Sequence, residues 1–183
     1  AWVMMTVVLI RHNPELLNVR GRRQPHDKPW DFVIVSIYGI TWILMLVAGA
    51  LDVRYGWTAP IAPAWHVLGN GLIFAGFGLM TWAMAVNRSF EVIVRIQTER
   101  NHTVVKRGPY RYVRHPGYTG VILAFYFGMP LALGSLPAAF IAVVGLATMI
   151  VRTLLEDRTL QMELPGHEAF THETRYRLIP GVW

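Results

Sequence analysis

The residues able to do chemistry gather at two places in the chain. From Lys106 to Gly120 it runs Lys-Arg-Gly-Pro-Tyr-Arg-Tyr-Val-Arg-His-Pro-Gly-Tyr-Thr-Gly, with four cations and one histidine punctuated by two prolines and three glycines. Proline restricts the residue before it and glycine admits positive φ, so Gly108-Pro109 and His115-Pro116-Gly117 break regular structure. The stretch therefore predicts a stiff basic loop, offering backbone N–H groups and fixed positive charge to an anionic or zwitterionic ligand. A solvated basic anchor beside a membrane is the plainer reading of most such loops. The density of Gly, Pro and aromatic residues argues for a binding loop here.

The second place is Arg152, Glu156, Asp157 and Arg158. Arg152 and Glu156 are four apart, so on a helix they share a face and can meet. Their order, cation first, is the less favourable one for a helix, which argues against a pair kept only for stability. The alternative is an Arg152 that snorkels beside solvated acids. Glu156 next to Asp157 supplies paired acceptors suited to ribose hydroxyls or an ammonium group. The loop's cations and amides suit a carboxylate. His102 lies at the same boundary and joins the set.

Other chemistries find no support. Without cysteine there are no disulfides, thiolate metal sites or cysteine nucleophiles. His167 and His172 resemble a zinc-protease helix but are spaced by five residues, roughly 140° around a helix, where a shared face needs four. No metal site is expected. Ser36, Ser89 and Ser135 lie in no nucleophile-elbow context, and phosphate loops and dinucleotide fingerprints are missing.

The elements that must hold these groups are apolar. The 183-residue chain is of one-domain size, 54% hydrophobic and only 15% charged, with a mean hydropathy of +0.36. That composition belongs to a membrane protein. A net charge of +6 suggests nucleic acid, but the basic residues flank apolar runs instead of forming a separate domain, so nucleic acid is excluded. Trp2 to Ile10 is too short to span a bilayer alone; it is the end of a longer helix, with an N-terminal piece expected before Ala1, or an interfacial segment. Arg11 to Asp31 is a polar connector. Phe32 to Leu51 and Trp65 to Val86 are spans, the second carrying Gly69, Gly71, Gly76 and Gly78, which suit close helix packing in lipid. Val92, Val94 and Ile96 alternate with other residues, hinting at an extended piece within the polar stretch Asn87 to Gly117. Tyr118 to Leu133, with a kink expected at Pro130, and Leu136 to Leu155 form a hairpin turning at Gly134-Ser135. From Glu156 the chain becomes amphipathic, and Pro165-Gly166 breaks the helix. The expected architecture is an all-α integral membrane protein of four to five transmembrane helices. Residues 1–86 form its membrane region, and residues 87–183 carry both candidate clusters.

Sidedness follows from charge. With four spans, sixteen of the seventeen lysines and arginines fall on one side, and Arg54 alone on the other. The positive-inside rule makes the crowded side, including the C-terminus, cytoplasmic. The span interiors as delimited hold no Asp, Glu, Lys or Arg, and His66 lies at a helix end, so a carrier or proton pump is disfavoured. Chemistry is expected on the cytoplasmic face.

Gly108-Pro-Tyr-Arg-Tyr-Val-Arg-His-Pro-Gly-Tyr-Thr-Gly120, followed by a hydrophobic hairpin, Arg152-Thr-Leu-Leu-Glu-Asp-Arg-Thr-Leu160 and the tail Arg175-Tyr-Arg-Leu-Ile-Pro-Gly181, resembles the isoprenylcysteine carboxyl methyltransferase family. Its wider group includes phospholipid methyltransferases. The resemblance covers roughly Asn87 to Trp183. It implies an integral membrane enzyme that uses S-adenosylmethionine, with residues 87–183 as its methyltransferase-like region. The implied cofactor contacts are Gly108, Pro109, Tyr110, Arg114, His115, Pro116, Tyr118 and Glu156, joined by His102 and Asp157. Arg152 is the implied orienter of an acceptor carboxylate and, with Glu156, the catalytic pair; Arg158 and Arg175 are further candidates on the substrate side. Where the family carries Glu-Glu this chain has Glu156-Asp157, and His167 and Phe170 stand where tyrosines are frequent; these departures bear on the acceptor. A carboxylate acceptor is already anionic and needs no general base, only in-line positioning and partial loss of water. The implied partner is a lipophilic or prenylated acceptor among membrane lipids. A phospholipid amine or a small thiol is the alternative acceptor. Membrane sterol reductases, which use NADPH, look similar in their C-terminal half, and a non-enzymatic adaptor binding anionic lipid is the remaining alternative.

Overall fold

The computed structural model describes residues 2–12, 27–98 and 101–183. Helix α1 covers Trp2–His12, α2 Pro29–Tyr55 and α3 Pro63–Val86. A 3-10 turn at Gly108–Arg111 precedes α4, Pro116–Leu133. Helices α5, Leu136–Glu163, and α6, His167–Glu173, complete the chain. There is no strand among the described residues. Helices α2 to α5 are each long and apolar enough to cross a membrane. All four open with proline in the first two positions, where its missing N–H costs nothing. Arg20, Arg22, Arg23 and Arg100, counted above for sidedness, lie outside the described residues, as does the connector from residue 13 to 26.

The helices run further than the apolar runs. α2 begins three residues before Phe32 and continues to Tyr55, so Asp31 and Asp52, expected in flanking loops, are helical and buried. Asp31 lies in the first turn, where the helix dipole favours an anion. Asp52 accepts bonds from the Thr58 amide and hydroxyl at 2.7 and 2.6 Å, and Gly56 ends the helix in a left-handed conformation. The expected change at Leu155 does not interrupt α5, which continues to Glu163. Arg152, Glu156 and Asp157 therefore belong to a spanning helix. The interior of the bundle is free of charge at its middle but not toward this end.

Close packing explains two of the four glycines on α3. A Cβ at Gly76 would overlap the Gly120 backbone of α4, and one at Gly69 would overlap the backbone at Ala132, whereas Gly71 and Gly78 face open space. Helices α3 and α4 thus touch backbone to backbone. The core between α2 to α5 is filled by Met45, Phe77, Met80, Phe125, Tyr126 and Met149, and α1 adds Met5 and Leu9. Within α4 the hydrogen bonding widens to π-helical over Ile122–Gly128 before returning to α at Met129–Leu133. The irregularity expected at Pro130 is thus a π segment ending just before it. Such segments carry surplus residues in a helix and collect near functional sites.

The ends of the helices sort to two sides. Asp31 at the start of α2 meets Arg152 near the end of α5, and Lys28 N–H bonds the Val94 carbonyl at 3.0 Å. At the other side the Leu136 amide bonds Thr58 and His66 contacts the Ala132 carbonyl. Residues 87–98 run as an irregular strap across the first side, with a turn at Arg88-Ser89 and a bend at Val92-Ile93. They form no strand, and the alternation of Val92, Val94 and Ile96 does not sort the segment into two faces, since Val94, Arg95 and Gln97 are all buried.

Candidate active site

The basic loop is held by the tail that follows α6. Gly108 sits at φ 61° against Trp82 and Val86, a conformation and a clearance that only glycine meets without strain. It lets the loop turn down so that Tyr110 is buried, its hydroxyl accepting a bond from Asn87 at 3.0 Å. Burial pushes the Tyr110 phenol well above its ordinary value, so it is neutral. Beyond it the amides of Arg114 and His115 bond the carbonyls of Tyr176 and Arg177, each at 2.9 Å, and the Thr119 hydroxyl bonds the Leu178 carbonyl. The conspicuous tail sequence therefore serves the loop through its backbone.

One carboxylate locks loop, tail and helix together. Asp157, 1% exposed, receives Arg114 Nε and Nη2 at 2.8 Å each, Arg177 Nε at 2.9 Å and Gln161 at 2.9 Å, and lies 3.2 Å from His115 Nε2. The remaining nitrogen of Arg114, Nη1, donates to the Thr174 and Arg175 carbonyls. A buried ion pair is tolerable when its geometry is bidentate and its other donors are satisfied, and these are.

Glu156 faces the other way. Its Oε2 accepts the Tyr118 hydroxyl, and its Oε1 lies 3.8 Å from His115 Nδ1. The His115 and Tyr118 rings stack nearly parallel, 4° apart, with centroids at 5.6 Å. Behind Tyr118 the Arg152 guanidinium lies 5.0 Å from the ring centroid. Arg152 does not turn to Glu156 as the spacing suggested. It grips Asp31 with Nε and Nη2 at 2.8 Å each and donates to the Val92 carbonyl.

These walls and the strap line a partly open cavity of about 90 Å³. Its polar lining includes Glu91, Gln97, His102, Arg114, His115 and Glu156; its apolar lining includes Phe90, Val104, Tyr110, Leu160, Leu164 and Phe170. Of the residues singled out in the sequence, His102, Tyr110, Arg114, His115, Tyr118 and Glu156 line this one space. Gly108, Pro109 and Pro116 shape the loop without lining it, and Asp157 and Arg152 stand behind the wall as supports. Arg158 and Arg175 are exposed and lie outside the lining. Among the described residues no group of three His, Cys, Asp or Glu side chains is placed to hold a metal.

The sequence hints at an extended piece in the strap but does not mark it as part of the site. Phe90 packs so tightly on Gly117 that a Cβ there would strike its ring, and Arg95 pairs with Glu91 through two bonds of 2.7 and 2.9 Å beside the cavity. His167, marked in the sequence only by its spacing to His172 and as a departure bearing on the acceptor, is buried on the cavity wall with Nε2 3.8 Å from Asp157 Oδ1.

Known proteins resemble part of this sequence. The family model described as phospholipid methyltransferase matches residues 64–165, from the start of α3 to just past the end of α5. Probable protein-S-isoprenylcysteine O-methyltransferases of Oryza sativa subsp. indica and subsp. japonica are each 37% identical over 62 residues. The matched segment spans 32% of this chain and 32% of each relative.

Proposed function

The chain belongs to the phospholipid methyltransferase family, and we propose that it transfers the methyl group of S-adenosylmethionine to a lipophilic acceptor at the cytoplasmic face of a membrane. One observation carries this reading: His115 of the basic loop and Glu156 of the α5 end face a common cavity, with Tyr118 stacked on one and bonded to the other. The charge count of the loops supports the cytoplasmic side.

The lining suits that cofactor. Phe90, Val104 and Phe170 offer an apolar wall for a purine, and Glu156 with the histidines offers acceptors for hydroxyls and an ammonium. S-adenosylmethionine supplies, when bound, a methyl group on a positively charged sulfur. What remains for the protein is to align the acceptor in line with that group and to exclude water. The strap lines one side of the cavity, and its Phe90 is seated on Gly117 of the loop. Tyr118, backed by Arg152, holds the Glu156 carboxylate toward the cavity.

The acceptor is most like the carboxyl group of a prenylated cysteine, by the likeness to the Oryza proteins. It attacks without a base. The description phospholipid methyltransferase supports a second acceptor; if that is a phospholipid amine, it must lose a proton, which Glu156 would take. Incubation with labelled S-adenosylmethionine followed by mass spectrometry of lipid extracts separates the two. The cofactor is tested first by thermal shift: S-adenosylhomocysteine raises the melting temperature and NADPH leaves it unchanged. The reverse pattern would replace the methyltransferase with a reductase, and no shift with either would leave a lipid-binding adaptor.

A further inference from the structure

Asp31 lies outside the region matched by the family model and is fully buried. It makes three short bonds that join three separate parts of the chain. Its Oδ1 and Oδ2 take Arg152 of α5 at 2.8 Å each, and its Oδ2 also takes the Val94 amide of the strap at 2.8 Å. A buried guanidinium is costly to desolvate and adopts a fixed place only when a carboxylate meets it squarely. Arg152 is so fixed, over the Tyr118 ring, and it tethers the strap a second time through the Val92 carbonyl.

We propose that Asp31 is a positioning residue of this site: by fixing Arg152 it sets the Tyr118 ring and the Glu156 carboxylate, and by holding Val94 it sets the strap across the cavity. The proposal rests on the methyltransferase reading for what the site binds, but not for the linkage itself. Asp31 touches neither the cavity nor a reacting atom. It acts at one remove, through a cation–π contact and a hydrogen bond that end on Glu156.

A purely structural Asp31 would lower stability and leave its effect on ligand affinity independent of Tyr118. A positioning Asp31 must share its effect with Tyr118, since both act through Glu156. The test is a double-mutant cycle on S-adenosylhomocysteine affinity, titrated in nanodiscs with Asp31→Asn, Tyr118→Phe and the two combined. Each single change is expected to weaken binding about tenfold, and the double change no more than about twofold beyond the worse single. Multiplying effects, near a hundredfold in the double variant, would overturn the proposal. Should Asp31→Asn not accumulate as folded protein, Asp31→Glu keeps the charge, displaces the guanidinium, and enters the same cycle. Hydrogen exchange of the strap is read alongside, because it needs no ligand. Protection of the amides from Val92 to Gln97 is expected to fall in the Asp31 variant, and unchanged protection would overturn the strap linkage. If the unsubstituted chain takes up no S-adenosylhomocysteine, the methyltransferase reading fails by itself, and the exchange data still decide whether Asp31 holds the strap.

Discussion

Glu156 and Asp157 are neighbours in sequence and opposites in role. Asp157 spends both oxygens on Arg114, Arg177, Gln161 and His115, so it is scaffolding, while Glu156 keeps its carboxylate toward the cavity with Tyr118 as its bonded partner. Glu156→Ala is expected to weaken S-adenosylhomocysteine binding about tenfold, the effect of losing one hydrogen bond to a charged group, with a small change in melting temperature. Asp157→Ala should do the opposite in kind. It leaves the Arg114 guanidinium buried without its carboxylate, which costs about 3–5 kcal/mol, and a sharp loss of thermal stability is the expected reading. An unchanged melting temperature for Asp157→Ala would contradict the locking role. Gly108→Ala tests the loop: a left-handed residue with Trp82 and Val86 beside it should cost about 1–2 kcal/mol by chirality alone, seen in the unfolding midpoint.

At the scale of elements, α3 and α4 are joined through glycine. Gly76→Val places a side chain on the Gly120 carbonyl. The helices must part, at a cost of about 1–3 kcal/mol, and since the basic loop opens α4, ligand affinity should fall together with melting temperature. Loss of stability with affinity intact would mean that the loop is positioned by the tail and Asp157 alone. The sequence displayed the loop, the hairpin and the tail because each carries a local signature: Gly-Pro punctuation, two apolar runs joined at Gly134-Ser135, and the run Arg175-Tyr-Arg-Leu-Ile-Pro-Gly181. It showed the strap only as a short alternation with no sign of what it covers, and it hid Asp31, whose partner Arg152 is 121 residues away. Spacing on one helix pointed Arg152 at Glu156. A carboxylate on another helix took it instead, and such a long-range choice leaves no mark in a local window.

For the whole molecule, four spans place the cavity and the Thr58–Leu136 contact on opposite sides. The chain has no cysteine, so single substitutions report cleanly: Arg88→Cys and Ala59→Cys, both at exposed positions, are expected to be labelled from opposite faces of sealed vesicles, with Arg88→Cys on the cytoplasmic face. Labelling of both from one face would refute the four-span topology. The π segment of α4 stands between the cavity end and the far end of that helix. It takes up a surplus residue on the spot. Removing one residue between Ile122 and Gly128 is expected to restore α-helical bonding there while Tyr118 and Met129 to Leu133 keep the faces they now present. The misfit is spent locally, so that Ala132 keeps its seat on Gly69 while the cavity end of the helix keeps its aim.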